Sequence, residues 1–215
     1  MDESALRQQL VEAARASVRL GLNRGTSGNL SVRLPGGLLV TPTGIPYPQL
    51  APADLVCLDA HGVAAPGQLK PSSEWRFHCD IYAARPQVAA IVHTHSRYAS
   101  TLACMRRELP AFHYMVAIAG GNSVRCADYA TFGSAELSAN ALVALQDRHA
   151  CLLANHGAIA VGASLDAALA LAEEVEALAG QYCATLALGA PVLLDHAEMA
   201  RVVVRFESYG RQDFD

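Results

Sequence analysis

The stretch AAIVHTHSRYAS, residues 89–100, joins a short apolar run to a helix-compatible segment, with His93 and His95 at the junction. An apolar run this short, lacking polar alternation, is the pattern of a strand buried on both faces. A sheet with such a strand must be covered by helices on both sides. Side chains two apart on a strand point the same way, so both imidazoles lie on one face. That geometry suits a metal chelate. It equally suits two half-buried histidines with unrelated hydrogen-bond partners, because a chelate needs a third ligand from elsewhere.

Outward from this strand, the chain alternates helical and extended patterns. Residues 3–20 carry Leu6, Leu10, Val11, Ala14 and Val18 at helical spacing and stop at Gly21 and Asn23. NLSVRLPGGLLVTP (29–42) has two alternating runs around Pro-Gly-Gly, a hairpin signal, and DLVCLDAHGVAA (54–65) repeats the form. SSEWRFHCDIYAARP (72–86) reads as a helix capped by a serine and stopped at Pro86. The strand 89–95 follows, then a helix of about ten residues. MVAIAGG and SVRCADYA read as short strands, and Ser134 caps a helix running to about Arg148. ACLLANHGAIAVG (150–162) is a strand broken by Asn155-His156-Gly157, with a second strand beyond. The longest helix runs from Ser164 to Leu188, and the last from Asp195 to Tyr209. Strands at 38–42, 55–59, 89–95 and 150–154 with helices between them predict an α/β domain with a mixed sheet covered on both faces. No linker divides the chain, so residues 1–215 are expected to form one domain, with 207–215 a mobile C-terminal tail.

Composition narrows the function classes. Of 215 residues, 52% are hydrophobic and 17% charged, with a net charge of −4 and arginines scattered rather than striped, which argues against a nucleic-acid partner. The opening MDESALRQQL is wrong for a signal peptide, and no apolar run approaches the ~18 residues of a membrane span, so the protein is expected in the cytoplasm. The six cysteines lie more than twenty residues apart, without the close pairs of zinc-thiolate or disulfide frameworks.

A third histidine answers the first two. His156 ends the apolar strand in Asn-His-Gly, where glycine lets the backbone turn and a side chain project from the sheet edge. His93, His95 and His156 would make a three-nitrogen site with a position open for substrate. Upstream, Ser72, Ser73 and Glu74 open a helix, where hydroxyls, N–H groups and the positive dipole end suit an anion. The same residues also suit an ordinary N-cap with an acidic first turn. Beside a cation, Glu74 would be a carboxylate able to act as a base. The loops GTSGN (25–29) and TPTGIPY (41–47) offer hydroxyls and exposed N–H groups that can cup one phosphate, although each alone reads as a turn.

The motifs LGLNRGTSGNLSVR, LLVTPTGIPY, PSSEWRFH, VHTHS, FHYMVAIAGGNSVRCADYATFG and NHGAIAVG together resemble the class II aldolase/adducin family, in order and spacing, from about residue 3 to Gly210. The resemblance implies a three-layer α/β/α sandwich around a mixed, largely antiparallel sheet. It implies one zinc ion per subunit and a homotetramer with sites in clefts between subunits. The activity implied is cleavage of a ketose 1-phosphate to dihydroxyacetone phosphate and an aldehyde. Carried over residue by residue, His93, His95 and His156 match the zinc ligands and Glu74 the acid/base, itself a further ligand in the free enzyme. Asn29, Thr43, Gly44, Ser72 and Ser73 match the phosphate cradle. Tyr114 and Tyr209 match tyrosines at the aldehyde end.

The residue chemistry agrees. Cleavage leaves an enediolate, whose charge a cation can stabilise without a Schiff base. Lys70 is the sole lysine, and it adjoins the phosphate loop rather than a buried pocket. The aldehyde half is the less determined, and deoxyketose 1-phosphates of fucose catabolism and of nucleoside salvage fit alike. An epimerase or a methylthioribulose-phosphate dehydratase would use the same metal machinery, and an adducin-like interaction domain would keep the fold without it.

Overall fold

Residues 2–206 are described in the computed structural model of the chain. Seven strands form one sheet: β1 (Asn29–Leu34), β2 (Gly37–Val40), β3 (Val56–Asp59), β4 (Ala90–Thr94), β5 (Cys126–Ala127), β6 (Ala150–Leu153) and β7 (Gly157–Gly162). Their order is β3-β2-β1-β4-β7-β6-β5. All neighbours are antiparallel except β5 and β6, which run parallel.

The opening stretch does set the architecture. β4 occupies the middle of the sheet and is buried along its whole length. Its alternate residues feed two cores. Ala90 and Val92 pack with α1 (Glu3–Arg19), α3 (Arg97–Cys104), α5 (Leu165–Leu188) and Met199 of α6 (His196–Phe206). Ile91 packs on the opposite face with α2 (Trp75–Ala84) and α4 (Ala135–Ala144). The result is the three-layer α/β/α sandwich. A fully buried Val or Ile contributes about 1.5–3 kcal/mol. Helices on both faces thereby fix which side of the sheet each β4 residue serves.

Several local expectations change. Tyr114–Ala119 is a 3-10 turn rather than a strand, ended by Gly120 at φ 90°, a left-handed conformation that suits glycine. Its apolar residues meet α5 and α6, so tertiary packing rather than period decides the segment. Within 123–130 only Cys126–Ala127 is strand, and Val124 makes an isolated bridge to Leu109. The hairpin at 54–65 is reduced to a bridge between Leu58 and Ala64. There the Asp59 carboxylate accepts the His61 and Val63 N–H groups, both at 2.9 Å, and closes a tight turn. Ser134 does cap α4, accepting from Leu137 N–H at 3.1 Å, but the helix ends at Ala144 because Asp147 turns left-handed at φ 54°.

The serine cap of α2 is also replaced. Glu74 occupies the N-cap position without a side-chain cap bond. Residues 70–72 instead pair with 41–43: Thr43 N–H donates to Lys70 O at 3.1 Å and Ser72 N–H to Thr41 O at 3.0 Å. This pairing draws the two candidate phosphate segments together at the edge of the sheet where β4 ends and β1 begins.

Candidate metal centre

Three elements deliver four ligand atoms to one point. β4 supplies His93 and, just past its end, His95; the β6–β7 turn supplies His156; the start of α2 supplies Glu74. Their ligand atoms lie within 4.8 Å of one another. Asn155 takes a left-handed φ of 54° and turns the chain so that His156 faces the cluster. The three rings stand nearly at right angles, each pair of centroids 4.8 Å apart.

The contacts fit a cation. His93 Nδ1 lies 2.9 Å from Ala158 O, which can only accept, so Nδ1 donates and Nε2 faces the cluster. His93 Nε2 is 2.9 Å from His95 Nε2 and 3.2 Å from Glu74 Oε2, while His156 Nε2 is 3.3 Å from Glu74 Oε1. Three ring nitrogens and two carboxylate oxygens gathered this closely are a set that a cation among them would satisfy. Glu74 Oε1 is buried and makes no hydrogen bond. Burial would raise the Glu74 carboxyl, yet the facing His93 and His156 rings and the hydrogen bond donated by Asn29 hold it at about 2. Burial, with the His93 ring close by, pushes His95 down to about 3 and His156 to about 4, leaving these two imidazoles neutral and ready to ligate. Three nitrogens and a carboxylate, without thiolate, suit a borderline divalent ion.

Glu74 and His93 form the buried floor, while His95 and His156 open onto a cavity of about 320 Å³. The lining of that cavity includes Asn29, Thr43, Ser72 and Ser73, four of the five residues that the family resemblance assigns to the phosphate cradle; Gly44 is not among the lining residues. Thr26, Ser27 and Gly28 of the GTSGN loop join this lining, so the turn-like motif gains a second use in context. Tyr129, Phe132 and Asn155 line the cavity too and were not singled out by the sequence reading. Aromatic residues in an irregular segment carry no spacing signal that would have found them.

Other residues stand apart. Tyr114 is half exposed, stacks on His113 at 4.9 Å, and lines a different cavity bounded by α6. Tyr209 lies outside the described residues. Lys70 is exposed and does not line the cavity, so no desolvated amine is present for an imine. Asn23, expected only to stop α1, is buried and donates to His93 O at 3.4 Å while accepting from His95 N–H at 3.1 Å. It therefore anchors the backbone of the histidine pair. Among the described residues no helix is long and apolar enough to cross a membrane.

The chain's similarity to known proteins agrees with this geometry. Residues 8–183 match the family described as Class II Aldolase and Adducin N-terminal domain. A 5-methylthioribulose-1-phosphate/5-deoxyribulose-1-phosphate aldolase of Rhodospirillum rubrum is 55% identical over 206 residues, covering 96% of this chain and 93% of that one. An L-fuculose phosphate aldolase of Escherichia coli K12 is 47% identical over 211 residues, covering 98% of both. A solved structure of an L-fuculose 1-phosphate aldolase superposes with a TM-score of 0.92 at 41% identity, covering 96% of this chain and 98% of that one.

Proposed function

This chain belongs to the class II aldolase and adducin family, and from that premise we propose that it is a zinc-dependent lyase forming dihydroxyacetone phosphate from a deoxyketose 1-phosphate. Named relatives along the whole chain are class II aldolases acting on ketose 1-phosphates. The observation that carries the reading is the Glu74, His93, His95 and His156 cluster set in the floor of a cavity walled by hydroxyls.

In this reading His93, His95, His156 and Glu74 hold the ion, which supplies Lewis-acid stabilisation of the enediolate charge. Asn29, Thr43, Ser72 and Ser73, with the backbone around Gly44, hold the phosphate through hydroxyl, amide and N–H donors. Cleavage breaks C3–C4: the C4 hydroxyl passes its proton to solvent through the tyrosine hydroxyls at the aldehyde end as the aldehyde forms, and the electron pair passes toward the C2 carbonyl. The carbon left behind takes a proton to give dihydroxyacetone phosphate. Glu74, ionised at rest, takes up a proton from solvent and delivers it through Oε1, since Oε2 is tied to Asn29 at 3.0 Å whereas Oε1 makes no hydrogen bond. Tyr114 and Tyr209 act at the aldehyde end. Tyr114 is remote from its own chain's cavity, so it serves the site of a neighbouring subunit in a homotetramer, and its exposure leaves it free to do so. The six unpaired cysteines accord with a cytoplasmic enzyme.

Incubating the zinc-loaded protein with fuculose, 5-deoxyribulose and 5-methylthioribulose 1-phosphates tests this directly, with dihydroxyacetone phosphate read by a coupled reduction. Its release from at least one is expected. Ketose consumed without it would point instead to an epimerase or dehydratase using the same floor. Absence of both turnover and metal binding would leave a non-catalytic adducin-like domain.

A further inference from the structure

From Glu74 and Asn29 a buried polar seam runs on behind the metal cluster to residues that touch neither ion nor phosphate. Glu74, His78 and Tyr82 fall four residues apart along α2 and so share one helix face. Asn29 and Ser31, two apart on β1, share the sheet face opposite. The two stripes interlock. Asn29 Nδ2 donates to Glu74 Oε2 at 3.0 Å, and Asn29 Oδ1 lies 2.5 Å from His78 Nε2. His78 Nδ1 lies 2.7 Å from Ser31 Oγ, which lies 2.8 Å from Tyr82 OH. His78 and Ser31 are wholly enclosed and Asn29 is 2% exposed, so water cannot substitute for a missing partner.

Donor and acceptor roles in this seam are all set from one end. An ionised carboxylate only accepts, so the Asn29 amide must turn its NH₂ to Glu74 and its oxygen to His78. His78 must then carry its hydrogen on Nε2, which leaves Nδ1 to accept from the Ser31 hydroxyl. Ser31 in turn accepts from Tyr82. The opposite tautomer would place two acceptors face to face at 2.5 Å, or would rotate the Asn29 oxygen onto the carboxylate. Burial pushes His78 down to about 3, consistent with a neutral ring carrying a single N–H.

We propose that His78 is a positioning residue: its Nε2–H locks the Asn29 amide in the orientation that donates to Glu74 and thereby aims the carboxylate. This rests on Glu74 being the proton-transfer group, but the hydrogen-bond pattern can be read without substrate. Nitrogen-15 NMR of the histidine rings in the zinc-loaded protein should show His78 as the Nε2–H tautomer, with that N–H resonance shifted when Asn29→Ala removes its acceptor. An Nδ1–H tautomer, or no response to Asn29→Ala, would overturn the proposal even in a fully active aldolase. Conversely, the expected tautomer in a protein that cleaves none of the ketoses would count against the aldolase reading alone.

Kinetics supply the second arm. His78→Asn still reaches Ser31 but falls short of Asn29, and kcat should drop about 10–100-fold, more than KM changes. His78→Gln places an amide N–H near the Nε2 position and should restore most of that loss. In an Asn29→Ala background His78→Asn should cost almost nothing further, because the group it acts through is gone. Equal losses in both backgrounds, or no rescue by glutamine, would mean that His78 only fills space.

Discussion

Gly157 begins β7 beside the end of β4, and the tightness of that approach makes Gly157→Ala a quantitative test of how the site is built. A Cβ at this position would sit 2.2 Å from Thr94 O and 3.1 Å from His95 Cδ2. Carbon–oxygen contacts between strands are ordinarily about 3.3–3.6 Å. The strands must therefore part by roughly 1 Å where Thr94 faces Ala158. That shift strikes the ligands twice: His156 is the preceding residue, and Ala158 O is the acceptor that orients His93. Forced overpacking costs about 1–3 kcal/mol, a drop of roughly 2–12 °C in Tm for a chain this size. Displacing the groups that orient metal ligands costs about 10–100-fold in metal affinity. Zinc affinity by chelator competition, with thermal unfolding of the metal-free protein, measures both. Gly36→Ala is the control: φ is +80° and its Cβ meets nothing within 4 Å, so strain arises without a clash. It should cost about 1–2 kcal/mol and leave zinc affinity unchanged. Unaltered zinc affinity in Gly157→Ala, whatever its Tm, would refute the claim that the β4–β7 approach positions the histidines.

Glu74→Gln should retain zinc while turnover falls by about 10²–10⁴, and near-normal turnover would remove Glu74 from proton transfer. Ser73→Ala should weaken dihydroxyacetone phosphate binding by about 1.5–3 kcal/mol without changing zinc affinity; equal cleavage of an unphosphorylated ketose would show that the cradle is misassigned. The metal-free protein should lose stability on acidification. His78, His95 and His156 stay neutral when folded, at about 3, 3 and 4, so below pH 6.5 the unfolded chain takes up protons the folded one refuses. Glu74, held at about 2, adds a further loss as pH falls below 4.5, and urea unfolding that is flat between pH 7 and 4 would contradict this.

The floor of the site was legible because it lies at the ends of regular elements. His93 and His95 share a face through the strand period, and Asn-His-Gly marks a turn by its glycine, so pattern points to the three histidines that the fold gathers into one cluster. Register then adds what pattern omits: Asn29 stands directly opposite His93 across the β1–β4 pair. Asn23 escaped because its work is done by backbone contacts seventy residues away, which no local spacing reports. The 3-10 turn at 114–119 escaped because its apolar run is equally compatible with a strand until α5 and α6 pack against it.

Substrate choice is hard to read for the same physical reason. The proposed enediolate chemistry would depend on Glu74 and three imidazoles, whose positions follow from strand ends and a helix start, and an aldolase, an epimerase and a dehydratase could share them. What separates these outcomes is the wall that meets the far end of the sugar. Within its own cavity the chain offers two aromatic residues of an irregular segment, Tyr129 and Phe132, both largely exposed. Groups that are not clamped by their own chain take their final positions from whatever packs against them. In the proposed tetramer that includes Tyr114 of a neighbour, so aldehyde preference becomes a property of the assembly. Dissociating subunits should then impair discrimination among aldehydes before it impairs zinc binding, because all four ligand atoms come from a single chain.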